Sequence, residues 1–324
     1  MPSHLKNMNN YLNSVVDTRI KKKIKLRLFE FGRDCIIFFQ KITRSSDIST
    51  RKIFADIDKQ TKKFESEEKE FFSRLSIWLE KNPEYSHPDL SRFDTQAYSG
   101  EHILVISPHP DDEMIGCGGT LIKLIQEGSR VSIVQLTDGS NTAVLKDSPE
   151  HIRKTVRLDE AKTVAKNLGF FELFLFKEPD SHLTCTRNNV EKLSEILDRL
   201  KPRIIFIPFM NDTHADHIVA NEILGMSLKK SFLNLKDVQV ASYEVWSLVP
   251  PNTYCSIDNQ FDRKADMLRK YRTPMKLVDY VRFCESLNAY HAYTLLGKKG
   301  FAEVFFTLDA KKYVDLILKT PILP

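Results

Sequence analysis

Two stretches of the chain concentrate groups that can do chemistry. The first holds His109, Asp111, Asp112 and Glu113, one imidazole and three carboxylates within five residues. Carboxylates this close repel one another, and a cation is the simplest compensation. His109 and Asp112 offer an imidazole nitrogen and a carboxylate oxygen, donors that suit zinc. The alternative is a solvated acidic loop with an Asp capping the next helix. The second stretch reads Asn211-Asp212-Thr213-His214-Ala215-Asp216-His217. His214 and His217 stand three apart, so in a helical turn they share a face. A single His pair is more often a capping or surface feature; two clusters at equivalent places are harder to dismiss.

The places are equivalent because of what flanks them. Each cluster follows an apolar run that ends in proline, 103–106 before Ser107-Pro108 and 204–207 before Pro208. Each then leads into a helical pattern, Leu121, Ile122, Leu124 and Ile125 in one case and Ile218, Ile223 and Leu224 in the other. The order is strand, polar loop, helix. In an open α/β sheet, ligands bind outside the carboxyl ends of the strands, so two such strands can build one site. The alternation continues with strands expected at 131–136, 171–176, 203–207, 238–247 and 303–307. Helices are expected at 149–168, 190–200, from the second cluster to about 230, 261–271 and 277–293. This predicts an α/β fold, a Rossmann-like and mostly parallel sheet with helices on both faces. Gly118 and Gly119 are expected to allow tight turning and close helix–strand packing.

Pro-His-Pro-Asp-Asp-Glu at 108–113, Gly-Cys-Gly-Gly-Thr at 116–120 and His-Ala-Asp-His at 214–217 together resemble the PIG-L/LmbE family of zinc-dependent N-acetylglucosaminyl deacetylases. The resemblance covers about residues 102–307 and includes Leu-Thr-Asp-Gly at 136–139, Arg157 with Glu160, and Asn-Leu-Gly at 167–169. Ser140 departs from it, standing where many members carry Glu. The resemblance implies zinc held by His109, Asp112 and His217, with a fourth position open for water. It implies Asp111 as the general base. It further implies that His214, oriented by Asp216, stabilises the oxyanion and protonates the leaving amine; the Asp216 carboxylate is expected to keep that ring cationic. Amide hydrolysis needs each of these parts. Arg157 and Asp180 are expected to contact substrate, with a surface ion pair to Glu160 as the alternative for Arg157. Glu113 is expected to brace the loop, His102 and His151 to be structural, and His291 to be a surface or packing residue. The implied partner is an N-acetylated sugar conjugate and the implied reaction is removal of its acetyl group.

Two other readings remain. Gly116-Cys117-Gly118-Gly119 after a strand, with Asp138 about 20 residues on, echoes a dinucleotide fingerprint. Leu121 at the place of the third glycine and the long gap from Ser107 to Gly116 oppose it. A sugar-binding member without catalysis is opposed by retention of the base.

Length and composition frame these motifs. At 324 residues, 42% hydrophobic and 10% aromatic, the chain fits one α/β domain with an extension. Cys35, Cys117, Cys185, Cys255 and Cys284 are odd in number and scattered and form no Cys-x-x-Cys, so neither a disulfide framework nor a thiolate zinc site is suggested. A reducing, cytoplasmic setting is expected. No signal-peptide pattern or long uncharged apolar run occurs. The net charge of +5 sits in the first fifty residues, which hold 10 Lys/Arg and 4 Asp/Glu, while residues 51–100 hold 9 and 10 and the rest is balanced. No nucleic-acid partner is expected. Residues 1–100 are expected to form a helical extension and linker, and 101–324 an LmbE-like deacetylase domain. Residues 18–42 carry an apolar stripe opposite Arg19, Lys21, Lys22, Lys23, Lys25 and Arg27. That face suits an anionic membrane surface, or the solvated side of a packed helix; the second is preferred because charged outer faces are ordinary. A second helix over 51–81 has seven-residue apolar intervals that suit pairing with the first helix or with a partner chain in an oligomer. Residues 83–100 read as a linker.

Overall fold

The computed structural model describes residues 90–318. The helices expected over 18–42 and 51–81, with their membrane and partner-chain roles, lie outside those residues. Eight strands form one sheet: β1 (Ser91–Arg92), β2 (His102–Ser107), β3 (Arg130–Thr137), β4 (Glu172–Glu178), β5 (Ile204–Pro208), β6 (Gln239–Tyr243), β7 (Thr253–Ser256) and β8 (Ala302–Asp309). Seven helices accompany them: α1 (Asp112–Gln126), α2 (Glu150–Leu168), α3 (Arg187–Leu200), α4 (Ala215–Lys230), α5 (Phe261–Leu268), α6 (Tyr280–Leu296) and α7 (Ala310–Leu318).

The strand order is β1-β7-β8-β6-β5-β2-β3-β4. All neighbours are parallel except β8, which runs antiparallel to both β6 and β7. The central strands β2 and β5 are continuous runs of Ile, Leu, Val and Phe. Successive side chains on a strand point to opposite faces, and Ile103 to Ile106 and Ile204 to Ile207 are all fully buried. Both faces of the sheet are therefore covered there, as parallel strands require. Ile103, Val105, Ile204 and Phe206 share one core with Met114 and Leu121 of α1 and Ala265 and Leu268 of α5.

The chain leaves β2 toward β3 and β4, then returns to place β5 and β6 on the other side. Ile103 pairs with Ile204 and Val105 with Phe206. The two strands that carry the His/Asp clusters are thus adjacent, and their carboxyl ends meet where the order of the sheet reverses. Such a switch point is where a crevice opens.

Several expectations are corrected. The last part of the supposed linker belongs to the sheet: β1 pairs with β7, and Phe93 is buried against Phe206 and Phe305. The strand expected over 238–247 ends at Tyr243 and continues as a loop. The helix expected from 277 starts at Tyr280, because Asp279 caps it by accepting the Arg282 N–H at 3.0 Å. β7 and α7 were not expected; α7 buries Tyr313, Leu316 and Ile317.

The glycine run is also placed differently. Gly116, Gly118 and Gly119 lie inside α1 rather than in a turn. A Cβ on Gly116 would run into the Tyr243 ring and the Glu244 carbonyl, and one on Gly119 would sit 2.6 Å from Ile257. The glycines let the strand β6 exit and the segment after β7 approach the helix backbone, so the packing half of the expectation holds. A buried ion pair grips the same turns. Lys264 Nζ donates to Ile115 O (2.9 Å), Asn288 Oδ1 (3.1 Å) and Glu303 Oε1 (2.7 Å). Glu303 in turn accepts the N–H groups of Gly119 (2.8 Å) and Thr120 (2.7 Å).

Candidate metal centre

The loop between β2 and α1 turns sharply. Asp111 precedes the first helical residue with φ 122° and ψ −28°, a conformation costing a non-glycine residue about 1–3 kcal/mol. Surrounding bonds hold it there. Glu113 accepts from Ser107 Oγ (2.9 Å), the Asp111 N–H (3.3 Å) and the Tyr271 hydroxyl. Thr137 N–H and Oγ1 both donate to Pro108 O. Glu113 is therefore the brace that the sequence suggests.

The result is a triangle of donor atoms. His109 Nδ1 lies 3.1 Å from Asp112 Oδ2 and 3.2 Å from His217 Nε2, and His217 Nε2 lies 3.2 Å from Asp112 Oδ2. Tetrahedral zinc with bonds of about 2.0–2.1 Å places its ligands roughly 3.3–3.4 Å apart. The three edges come within a few tenths of an ångström of that spacing, so the donor set fits such an ion. His214 also brings a ring nitrogen within 4.8 Å of those of His109 and His217.

Carboxylates fix both rings from behind. His109 Nε2 is 3.0 Å from Asp216 Oδ2 and 3.4 Å from Asp180 Oδ1. Asp216 is itself held by the N–H groups of Ser181 (2.8 Å) and Leu183 (3.1 Å). His217 Nδ1 faces Asp212 Oδ1 at 3.4 Å. Asp212 accepts from His214 N (3.0 Å), Trp246 N (3.0 Å) and Ser247 N (3.3 Å). Carboxylate behind imidazole is the usual arrangement of metal-ligating histidines.

The charges follow from this packing. Burial disfavours protonating His109 and His217, but the Asp112 carboxylate overcomes it, holding His109 well above the ordinary imidazole range and raising His217 to about 9. Asp112 is correspondingly held below the usual carboxylate range, the two imidazolium rings outweighing its burial. Positive charge collects around Asp112, where one divalent ion could replace two protons. Burial pushes Asp111 up to about 7, with the Arg157 guanidinium pulling against it.

His214 corrects an expectation. Burial, then the charges of His109 and His217, hold its pKa below the ordinary value, so it is neutral rather than cationic. Its Nδ1 accepts the Asp216 N–H at 3.2 Å and caps α4. A neutral ring accepting at Nδ1 carries its proton on Nε2. Asp216 does not orient His214 with its carboxylate, which serves His109 instead. Arg157 is corrected as well. It is buried, and its Nη2 lies 2.9 Å from Asp111 Oδ2 and its Nη1 2.5 Å from Glu160 Oε2. It holds Asp111, and the alternative pair with Glu160 is present, buried rather than on the surface. Asp180 stays at the rim, held by the Asn141 N–H at 2.9 Å. His291 is buried, not superficial, with Nε2 2.7 Å from Glu244 Oε2.

Residues 104–226 match the family described as PIG-L, GlcNAc-PI de-N-acetylase. That match covers 123 of the 324 residues, and this part of the chain is similar to the PIG-L family. The chain is 33% identical over 118 residues to the diacetylchitobiose deacetylase of Thermococcus kodakarensis, a match covering 36% of this chain and 44% of that protein. It is 26% identical over 235 residues to 1D-myo-inositol 2-acetamido-2-deoxy-alpha-D-glucopyranoside deacetylase 2 of Saccharopolyspora erythraea, covering 54% of this chain and 84% of that one. In fold it resembles the N,N'-diacetylchitobiose deacetylase of Pyrococcus horikoshii, with a TM-score of 0.57, 24% identity, and coverage of 71% and 91%. The PIG-L match begins within β2 and ends within α4, so it encloses every residue of the donor triangle. The nucleotide-binding alternative loses its loop, because the glycines lie in a buried helix whose first turn is acidic. No helix of the described residues is long and apolar enough to cross a membrane.

Reading the sequence missed Asp212. A single Asp in Asn-Asp-Thr looks like turn chemistry, and only its place one turn before His217 hinted otherwise. It also missed the partnership of Glu244 with His291, whose members lie 47 positions apart on different elements.

Proposed function

We propose that the chain is a zinc-dependent hydrolase that removes the acetyl group from an N-acetylglucosamine-type sugar conjugate. The observation that carries this is the donor triangle of His109, Asp112 and His217, with an ionisable Asp111 beside it. Zinc bound there would supply an activated water and polarise the amide carbonyl. Asp111 takes the proton of the attacking water; a value near 7 suits a base at neutral pH, and a bound cation would add to the pull of Arg157. The same carboxyl can then return the proton to the departing amine nitrogen. His214, neutral with Nε2–H, donates a hydrogen bond to the oxygen that gains charge. Asp216 and Asp212 keep the two ligating rings in place, and Arg157 positions Asp111.

The relatives named above are deacetylases of N-acetylated sugars, and their chemistry is extended to this chain on the strength of the PIG-L match over residues 104–226, which encloses the donor triangle. The reducing, cytoplasmic setting stays part of the proposal: among the described residues, Cys117, Cys185, Cys255 and Cys284 are all free. The test is acetate release from N,N'-diacetylchitobiose and other N-acetylglucosamine conjugates, before and after chelation. Activity lost with the chelator and restored by zinc supports the reading. Turnover that survives complete metal removal would sink it.

A further inference from the structure

The loop that follows β6 carries Trp246, and nothing above gives that ring a task. The residue is 42% exposed. Its backbone N–H donates to Asp212, the carboxylate behind His217. On its other side, the ring lies 6.1 Å from Tyr280 and 6.3 Å from Phe283, both on α6. Tyr280 is buried, with its hydroxyl pushed upward first by burial and then by the charges of Asp111 and Asp112. Its hydroxyl makes no hydrogen bond among the described residues. Trp246 thus links Asp212, the carboxylate behind His217, to Tyr280, whose hydroxyl feels the charges of Asp111 and Asp112.

The loop is also built to hold its shape. Glu244 Oε1 accepts the Val249 N–H at 2.9 Å and closes the loop at its base, while Glu244 Oε2 is 2.7 Å from His291. In its middle, the N–H groups of Trp246 and Ser247 are both fixed by Asp212. A large aromatic face held rigidly and half in water is the kind of surface on which the C–H face of a sugar ring packs. Aromatic side chains combine a large apolar area with a polar edge.

From this arrangement we propose that Trp246, backed by Tyr280 and Phe283, is a specificity-determining platform for a pyranose ring of the N-acetylated substrate. The proposal rests on the deacetylase reading above and adds the group that recognises the sugar. The ring stacks on the exposed indole face, the acetamide reaches the donor triangle, and the Tyr280 hydroxyl is left to bond the sugar or the acetamide. Leu248, Leu277 and Val278 are also exposed on the same two segments. They make an acyl chain the competing occupant that the experiment must separate.

The chain has two tryptophans, Trp78 and Trp246, so W78F leaves Trp246 as the sole indole reporter. We expect the fluorescence of zinc-loaded W78F to respond saturably to N,N'-diacetylchitobiose and not to N-acetylethanolamine, which has the acetamide without a ring. In kinetics, W246A raises KM for diacetylchitobiose by roughly tenfold or more with kcat little changed, and W246F recovers much of the loss, because stacking needs an aromatic face. Zinc content stays that of the parent in both variants. A KM unmoved by W246A, in an enzyme that does deacetylate the sugar, overturns the platform and leaves the deacetylase reading standing. A saturable fluorescence response without any acetate release keeps the platform and overturns the deacetylase reading. Tighter binding of N-octylacetamide than of diacetylchitobiose assigns the surface to an acyl chain and overturns the proposal.

Discussion

Arg157 decides what Asp111 can do. Without the guanidinium, burial and the neighbouring carboxylates Asp112 and Glu113 would all push Asp111 upward. With Asp111 as the proposed base, activity needs its ionised form, and the acid limb follows its pKa. Arg157→Met removes the positive charge that favours ionisation. The acid limb of kcat/KM is therefore expected to move to higher pH, and a pH–rate profile checks it. A limb that stays in place would mean that Asp111 is not the titrating base. At the opposite end of the triangle, Asp212→Asn removes the carboxylate facing His217. Loss of such a support weakens metal binding by roughly 10–100-fold, measured by competition with a chromophoric chelator. His109→Ala, Asp112→Ala and His217→Ala each remove a donor and are expected to lose the metal outright in elemental analysis.

The elements explain why some of this was legible and some was not. β2, β5 and the helices after them show in the sequence because buried parallel strands are unbroken apolar runs and the clusters sit at their ends. The role of Asp216 was not legible: its spacing from His214 suggests a pair, yet the carboxylate turns to His109, 107 positions away. β1 escaped because two residues give no pattern. The strand after α4 looked longer than it is because Val245, buried in the loop, continues its apolar run. The glycine run is the clearest case, since Gly-x-Gly-Gly reads equally as a turn or as a helix face stripped for close packing. The structure chooses the second, and Lys264 with Glu303 grip that face. Removing one partner of a buried pair leaves an uncompensated charge and costs about 3–5 kcal/mol. Lys264→Met is therefore expected to lower stability by that order, whereas Lys264→Met combined with Glu303→Gln costs less than the sum of the two single changes. Denaturant unfolding of the three variants measures the coupling; strict additivity would show that the pair does not act as a unit.

At the scale of the whole molecule, the question is where the catalytic unit begins. The residues that build the donor triangle all follow Glu101, which suggested a boundary there. The sheet argues for an earlier one. Ser91 N–H donates to Asn252 O at 2.9 Å and Phe93 N–H to Tyr254 O at 2.7 Å, so the chain enters the fold as its edge strand. Phe93 then stacks on Tyr98 at 5.2 Å, and the Tyr98 carbonyl accepts from Ser129 Oγ at 2.8 Å. Losing a buried Phe costs about 3–5 kcal/mol, and the edge bonds add to that. Two truncations separate the proposals. A chain starting at Leu90 is expected to keep its zinc, its turnover of a small N-acetylglucosamine substrate and its melting temperature, if the first 89 residues are an accessory. A chain starting at Glu101 keeps every site residue but loses β1 and Phe93, and its melting temperature falls by roughly 10 °C, at about 2–4 °C per kcal/mol for a domain of this size. Thermal melts and zinc analysis of both chains decide the matter. Equal melting temperatures would return residues 90–100 to the linker, and inactivity of the folded, metal-loaded chain starting at Leu90 would show that the preceding segment helps to shape the site.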